Sequence, residues 1–154
     1  MIMKKSTIGH SNHVQHVLHE VQILSRLRCV FLPEIYAFFL DESSMYTLSD
    51  YVAGGELFSH LRIQKVFEPI LYQFYFIEIA CALHYLRKKK ILYRGLKPES
   101  IAISRDGHIR LVDFNFSKIL NIQNRTYTLC GTPEYCSPEI SEGLGYGFAS
   151  DWWS

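Results

Sequence analysis

The chain has 154 residues, 48% hydrophobic and 20% charged, with 16 Lys and Arg against 15 Asp and Glu. That length suits one domain with a real core and is too short for two, and the composition is that of a globular chain. Near-neutral charge removes any general attraction to nucleic acid or to an anionic membrane, so neither is expected as a partner. Cys29, Cys81, Cys130 and Cys136 form no C-x-x-C pair, and no secretory signal pattern precedes them. Reduced cysteines and a cytoplasmic or nuclear location are the expectation. The apolar stretch 29–40 is broken by Pro33 and Glu34, so it is not expected to span a membrane.

Met1-Ile2-Met3-Lys4 is an apolar stub that suits the end of a strand. From His13 to Arg28, Val17, Leu18, Val21, Ile23 and Leu24 recur at helical intervals. Ile35 to Leu40 and Met45 to Tyr51 read as strands joined by the turn-rich Asp41–Ser44. Gly54-Gly55 breaks the chain, and Glu56 to Arg62 reads as a short helix. Pro69 suits the first turn of a long helix to about Lys89. Ile70, Phe74, Ile77, Cys81 and Tyr85 line one face of that helix, and Leu71, Tyr75, Ile79, Ala82 and Leu86 line its neighbour. Apolar character over so much surface predicts a helix inside a domain. Arg87-Lys-Lys-Lys90 then complements the helix C-terminus. Ile101–Ile103 and His108–Val112 read as short strands around the turn signal Asp106-Gly107. Strands with one helix, then mostly helix with small hairpins, predict a two-part α+β fold.

The motifs follow the long helix in order. Tyr93-Arg94-Gly95-Leu96-Lys97-Pro98-Glu99-Ser100 comes first, then Asp113-Phe114-Asn115, Gly131-Thr-Pro-Glu-Tyr135, Ser137-Pro-Glu139 and Asp151-Trp-Trp153. This series resembles the protein kinase signature set of catalytic loop, Asp-Phe-Gly and Ala-Pro-Glu. Tyr51–Glu56, Phe58–Leu61 and Thr128–Tyr135 are similar to cAMP-dependent protein kinases in particular. The resemblance covers essentially the whole chain. It implies one incomplete, partial two-lobed kinase domain over 1–154, with 1–51 a remnant of the small lobe. Residues 52–154 would begin the large lobe and run through the activation segment.

The resemblance implies roles for particular residues. Lys4 stands at the phosphate-binding lysine and Glu20 at its ion-pair partner. Asp50 and Val52 stand at the hinge that holds adenine, with Glu56 beside them among the cofactor-binding residues, and Glu56 and Glu99 stand at acidic groups that read arginines in a basic substrate. Lys97 is the catalytic-loop lysine, Asp113 the magnesium-holding aspartate, and Thr132 a substrate-side threonine. Thr128 stands at the activation-loop site phosphorylated by an upstream kinase, with His16, Arg94 and Lys118 as a clamp for its phosphate. His10, His13, His16 and His19 recur every third residue. A step of three rotates about 300°, which spreads them round a helix, so a metal site there is not expected.

Three departures bear on chemistry. Gly95 stands where the catalytic base belongs, Ser100 where an asparagine would ligate a second metal, and Asn115 where a glycine would give the backbone freedom. Ile2 stands at the ceiling of the adenine site in place of alanine, and Ala102 at its floor in place of a larger aliphatic residue. No Gly-rich loop lies within the chain. The expected function is therefore a catalytically impaired kinase-like protein, with ATP and Mg²⁺ implied as cofactors but bound weakly or not at all. Its partners would be a protein or a basic protein substrate. The alternative is an ATP-dependent Ser/Thr kinase acting on basic sites. The break after Trp153 is also expected to leave Trp152, Trp153 and the Glu139 carboxylate poorly covered, making an unstable or aggregating chain.

Overall fold

The computed structural model of the chain describes residues 2–4, 11–121 and 124–154, and the side chains of 3–4 and 11–16 lie outside that description. β1 (Ile2–Lys4), β3 (Ser44–Ser49) and β2 (Ile35–Leu40) form a three-stranded antiparallel sheet in the order β1-β3-β2. α1 (Ser11–Leu24) packs on this sheet, with Val17 and Met45 buried against each other and Val21 and Phe38 beside them. The predicted helix to Arg28 stops at Leu24. There the Ser25 hydroxyl donates to Gln22 O, and the bonds tighten to Arg26 N–Ile23 O and Leu27 N–Leu24 O. That tighter turn carries Leu27 into the core. The second predicted strand stops at Ser49 rather than Tyr51, because Asp50 turns back to bond the backbone of Glu34.

The helical part begins with α2 (Leu57–Gln64) and α3 (Pro69–Lys88). β4 (Ile91–Leu92) pairs with β7 (Lys118–Ile119), and β5 (Ile101–Ile103) pairs with β6 (Ile109–Leu111). Two short helices, α4 (Pro138–Ser141) and α5 (Ser150–Trp153), follow. Ala82, Leu83 and Leu86 of α3 meet Ile101, Ile103, Ile109 and Leu111 of the hairpin in the main core. This is the expected α+β architecture, a part of a two-part kinase fold. The two α3 faces behave differently, however. Leu71, Tyr75, Ile79, Ala82 and Leu86 turn inward, whereas Ile70, Phe74 and Ile77 are 83%, 38% and 60% exposed. Trp152 and Trp153 are exposed and Glu139 is half-buried.

One glycine fixes the join between the parts and another closes the hairpin it meets. A side chain at Gly54 would clash with the carbonyl oxygen of Ile103, and Gly54 N donates to that same oxygen. Gly107, at φ +88, closes the β5–β6 turn in a conformation that L side chains rarely adopt.

The same hairpin is tied to α3 through a buried acid. Glu78 accepts from Nδ1–H of His108 at 2.5 Å and from the backbone N of Ile109 at 3.0 Å. His108 is half-exposed, and its pKa is raised first by the Glu78 hydrogen bond and then by that carboxylate's charge; Asp106 adds to this and Arg110 opposes it. A histidine whose folded pKa lies above its unfolded one stabilises the fold fully below the unfolded value. The contribution is lost as pH climbs through the folded value. His108→Gln is therefore expected to lower the melting temperature most near pH ~6 and progressively less above it. A wild-type-minus-variant difference that stays constant across a pH series would contradict this.

Candidate active site

The site is built around the loop between β4 and β5. Tyr93 is fully buried, its hydroxyl donating to Val112 O and its ring lying edge-on to Phe114 at 5.0 Å. Burial pushes the phenol's pKa well above its ordinary value. The backbone N–H groups of Tyr93 and Arg94 both donate to the Asp151 carboxylate, at 2.8 Å each. Burial raises the Asp151 pKa to about 6, with those two bonds opposing. Arg94 itself sits at φ 64, so the loop turns sharply there.

Gly95 follows and carries no group that takes a proton. Ser100 is 1% exposed; its Oγ accepts from Lys97 N at 3.1 Å and lies 2.7 Å from Gly95 O and 2.9 Å from Lys97 O. The hydroxyl thus closes the loop on itself. Lys97 caps the short turn Pro98–Ser100 and is half-buried.

Asp113, at φ 62, turns the chain so that Phe114 enters the core. The freedom expected at Asn115 is thus used two residues earlier, at Asp113, and Asn115 has no positive φ. Glu20 of α1 accepts from Phe114 N at 3.4 Å. Its pKa is raised first by burial, with the Asp113 charge adding to the effect. Lys4 lies in β1 opposite Ser44, but its side chain lies outside the described residues, and with it the expected pairing to Glu20. A cleft of about 180 Å³ lies between α1, β2, β3 and Val112-Asp113, with Glu20, Asp50 and Val52 on its walls. Asp50 is committed to the Tyr36 hydroxyl and Glu34 N, which hold its carboxyl below the usual range. Ile2 is 71% exposed and Ala102 buried, and neither lines this cleft.

The activation segment carries the second group. Thr128 is exposed, and its carbonyl accepts from the Tyr146 hydroxyl at 2.6 Å. Arg94 donates to Phe116 O at 2.5 Å and to Tyr146 OH at 3.2 Å. Lys118 donates to the buried Thr126 hydroxyl at 2.9 Å rather than to Thr128. The structure thus gathers Arg94, Tyr146 and Thr128, with Lys118 and Thr126 on the same segment, while the His16 side chain lies outside the described residues. His19 instead donates to Ser117 O at 2.7 Å. Tyr146, with a pKa pushed up to about 12 by burial, and Asp151 organise this site, and motif matching alone assigns neither a role. Glu56 is exposed at the start of α2 and bridges Ala102. Glu99 keeps Oε2 buried without a hydrogen-bond partner among the described residues. Thr132 is half-buried before the turn Pro133–Tyr135. Among the described residues no cluster of three His, Cys, Asp or Glu is placed to hold a metal, and no helix is long and apolar enough to cross a membrane.

Comparison with known proteins agrees with this layout. The protein kinase domain family matches residues 1–154. The cAMP-dependent protein kinase catalytic subunit of Dictyostelium discoideum is 44% identical over 152 residues, covering 99% of this chain and 23% of that protein. The human cAMP-dependent protein kinase catalytic subunit PRKX is 48% identical over 140 residues, covering 91% of this chain and 38% of its own length. In Drosophila melanogaster, cAMP-dependent protein kinase catalytic subunit 3 is 42% identical over 153 residues, covering 99% of this chain and 26% of its own length. The chain thus spans about a quarter to two-fifths of the length of these relatives. With its loop, its Asp-Phe turn and its activation segment in kinase order, the chain belongs to the protein kinase domain family and is of the cAMP-dependent protein kinase type.

Proposed function

We propose that this chain is a catalytically impaired Ser/Thr-kinase-like protein. The observation that carries this reading is Gly95 at the base position, on a loop that keeps Arg94, Lys97 and Glu99 in kinase order. Phosphoryl transfer needs the substrate hydroxyl oriented and its proton accepted, and general-base catalysis contributes roughly 10²–10⁴-fold. A glycine supplies none of it.

The implied cofactors fit poorly. Magnesium takes near-octahedral oxygen ligands, commonly one or two carboxylates with waters and phosphate oxygens. Here the Ser100 hydroxyl is spent within its loop, and Asp113 Oδ1 already accepts from the Asn115 side chain. The residues as arranged therefore do not fit the ion. The described cleft walls carry the carboxylates of Glu20, Asp50 and Asp113, whose negative charge opposes a triphosphate.

What remains suited to a partner is the acidic substrate side. A basic protein segment could place a guanidinium against the buried Glu99 oxygen, with Glu56 exposed as a second acid. Thr128, exposed on its segment, is offered to an upstream kinase, with Arg94, Lys118 and His16 as the proposed clamp. The competing reading, a working ATP-dependent kinase, draws on the retained Lys4, Glu20, Lys97 and Asp113 and on the set of His16, Arg94 and Lys118 around Thr128. Labelled ATP with magnesium and a basic Ser/Thr peptide separates the two. No transfer above the Asp113→Ala background is expected, and transfer that disappears in Asp113→Ala would establish the kinase instead.

A further inference from the structure

One oxygen of the Asp113 carboxylate is already answered from within the chain. Asn115 donates twice to the same oxygen, Asp113 Oδ1: its backbone N at 3.4 Å and its side-chain Nδ2 at 2.7 Å. The backbone bond is open to any residue at this position. The shorter one comes from the asparagine side chain. It places an N–H hydrogen where a cation bound to that oxygen would stand, and a hydrogen bond and a metal ligand compete for the same lone-pair region. Phe114 locks the arrangement, since its ring is fully buried between the two polar neighbours in sequence.

The surroundings would otherwise suit a cation. Glu20 lies close enough for the Asp113 charge to act on it, and the two carboxylates share the walls of one cleft. The other oxygen that a metal would draw on, Ser100 Oγ, is buried and engaged with Gly95 and Lys97.

We propose that Asn115 is a resident occluding residue, whose carboxamide fills the face of Asp113 that would take a divalent cation and so holds the site in a metal-free arrangement. The inference rests on the impaired-kinase reading above but concerns a different residue from the one that carries it. Loss of the base removes proton acceptance, whereas Asn115 blocks the ion. Occlusion by a side chain is reversible, because rotation of the carboxamide away from Oδ1 reopens the carboxylate.

The test is a titration of the full chain with Mn²⁺ alone, reading free Mn²⁺ by electron paramagnetic resonance. It compares wild type, Asn115→Ala, Asn115→Gly and the double variant Asn115→Ala/Asp113→Asn. Removing a hydrogen bond to a charged oxygen should tighten Mn²⁺ binding by about tenfold or more in both single variants. The gain should vanish in the double variant. Asn115→Gly stands beside Asn115→Ala so that a folding defect in either leaves the comparison intact. Unchanged affinity in the single variants would overturn the proposal, as would a gain that survives loss of the Asp113 charge. Phosphate transfer is not read in this titration, so a wild-type chain that proved to be a working kinase would sink the impaired-kinase reading and leave the Mn²⁺ comparison standing.

Discussion

Replacing Gly95 with aspartate is expected to leave the fold intact while returning a carboxylate to the catalytic loop. A Cβ built on Gly95 stands 3.8 Å from Asp113 O, 3.9 Å from Phe116 Cδ2 and 4.0 Å from Tyr93 O, all ordinary contact distances. Its backbone is not in the left-handed region, so an L residue carries no strain there. The loop therefore leaves room for a side chain at this position. Substituting glycine at a compatible position also narrows the unfolded ensemble, worth about 0.4–1 kcal/mol. The melting temperature of Gly95→Asp should therefore match or slightly exceed that of wild type. In phosphate transfer, the gain has a ceiling of roughly 10²–10⁴-fold, the range of general-base catalysis. Asn115→Gly added to it should bring the rate nearer that ceiling, because the base is useful only where magnesium can reach Asp113. A thermal melt and a labelled-phosphate assay on the same preparations check both halves. A fall of more than about 5 °C would show that the loop has repacked around the glycine, since ~1 kcal/mol shifts a domain of this size by about 2–4 °C.

Much of this layout was legible in the sequence because it rests on local rules. Pro69 starts α3 where a proline is harmless, and Asp106-Gly107 turns the hairpin because a positive φ is needed there. Motif order singles out Gly95, Asp113 and Thr128 without any contact being known. What sequence periodicity cannot supply is the identity of the neighbour. Both faces of α3 are apolar, yet Tyr75, Ile79, Ala82 and Leu86 meet the core while Ile70, Phe74 and Ile77 stay exposed. Family position matches Lys118 to Thr128, whereas in the structure it meets Thr126, which is bridged to Tyr146. The occupation of Asp113 by Asn115 is equally hidden. A change from glycine reads first as a loss of backbone freedom, and only the side-chain geometry shows the hydrogen bond it adds.

Asp151 is held by partners distant in sequence, and Asp151→Asn is expected to be a strongly damaging conservative change. The carboxylate is buried and receives two N–H donors, from Tyr93 and Arg94, which lie 58 and 57 residues away in sequence. Both of its oxygens act as acceptors. Asparagine has the same shape but only one acceptor, so its NH₂ group would face one of those backbone N–H groups and leave it unsatisfied. Hydrogen bonds to charged groups carry about 1.5–3 kcal/mol, and a stranded buried donor costs a further ~1–3 kcal/mol. A loss of about 3–5 kcal/mol corresponds to a fall in melting temperature of roughly 6–20 °C for a domain of this size. The mechanism also predicts a pH signature. Burial lifts the Asp151 pKa to about 6, so on acidification the folded state takes up a proton before the unfolded state does. For a carboxyl raised in this way, its contribution to stability rises as pH falls through the folded value, and it is complete below the unfolded one. The substituted asparagine does not titrate, so the wild-type advantage over the variant should change across pH ~4–6 and be flat above it. Melts of both proteins over that range measure the loss and its slope together. A variant within about 2 °C of wild type at neutral pH would show that the Tyr93–Arg94 turn is held by something other than this carboxylate.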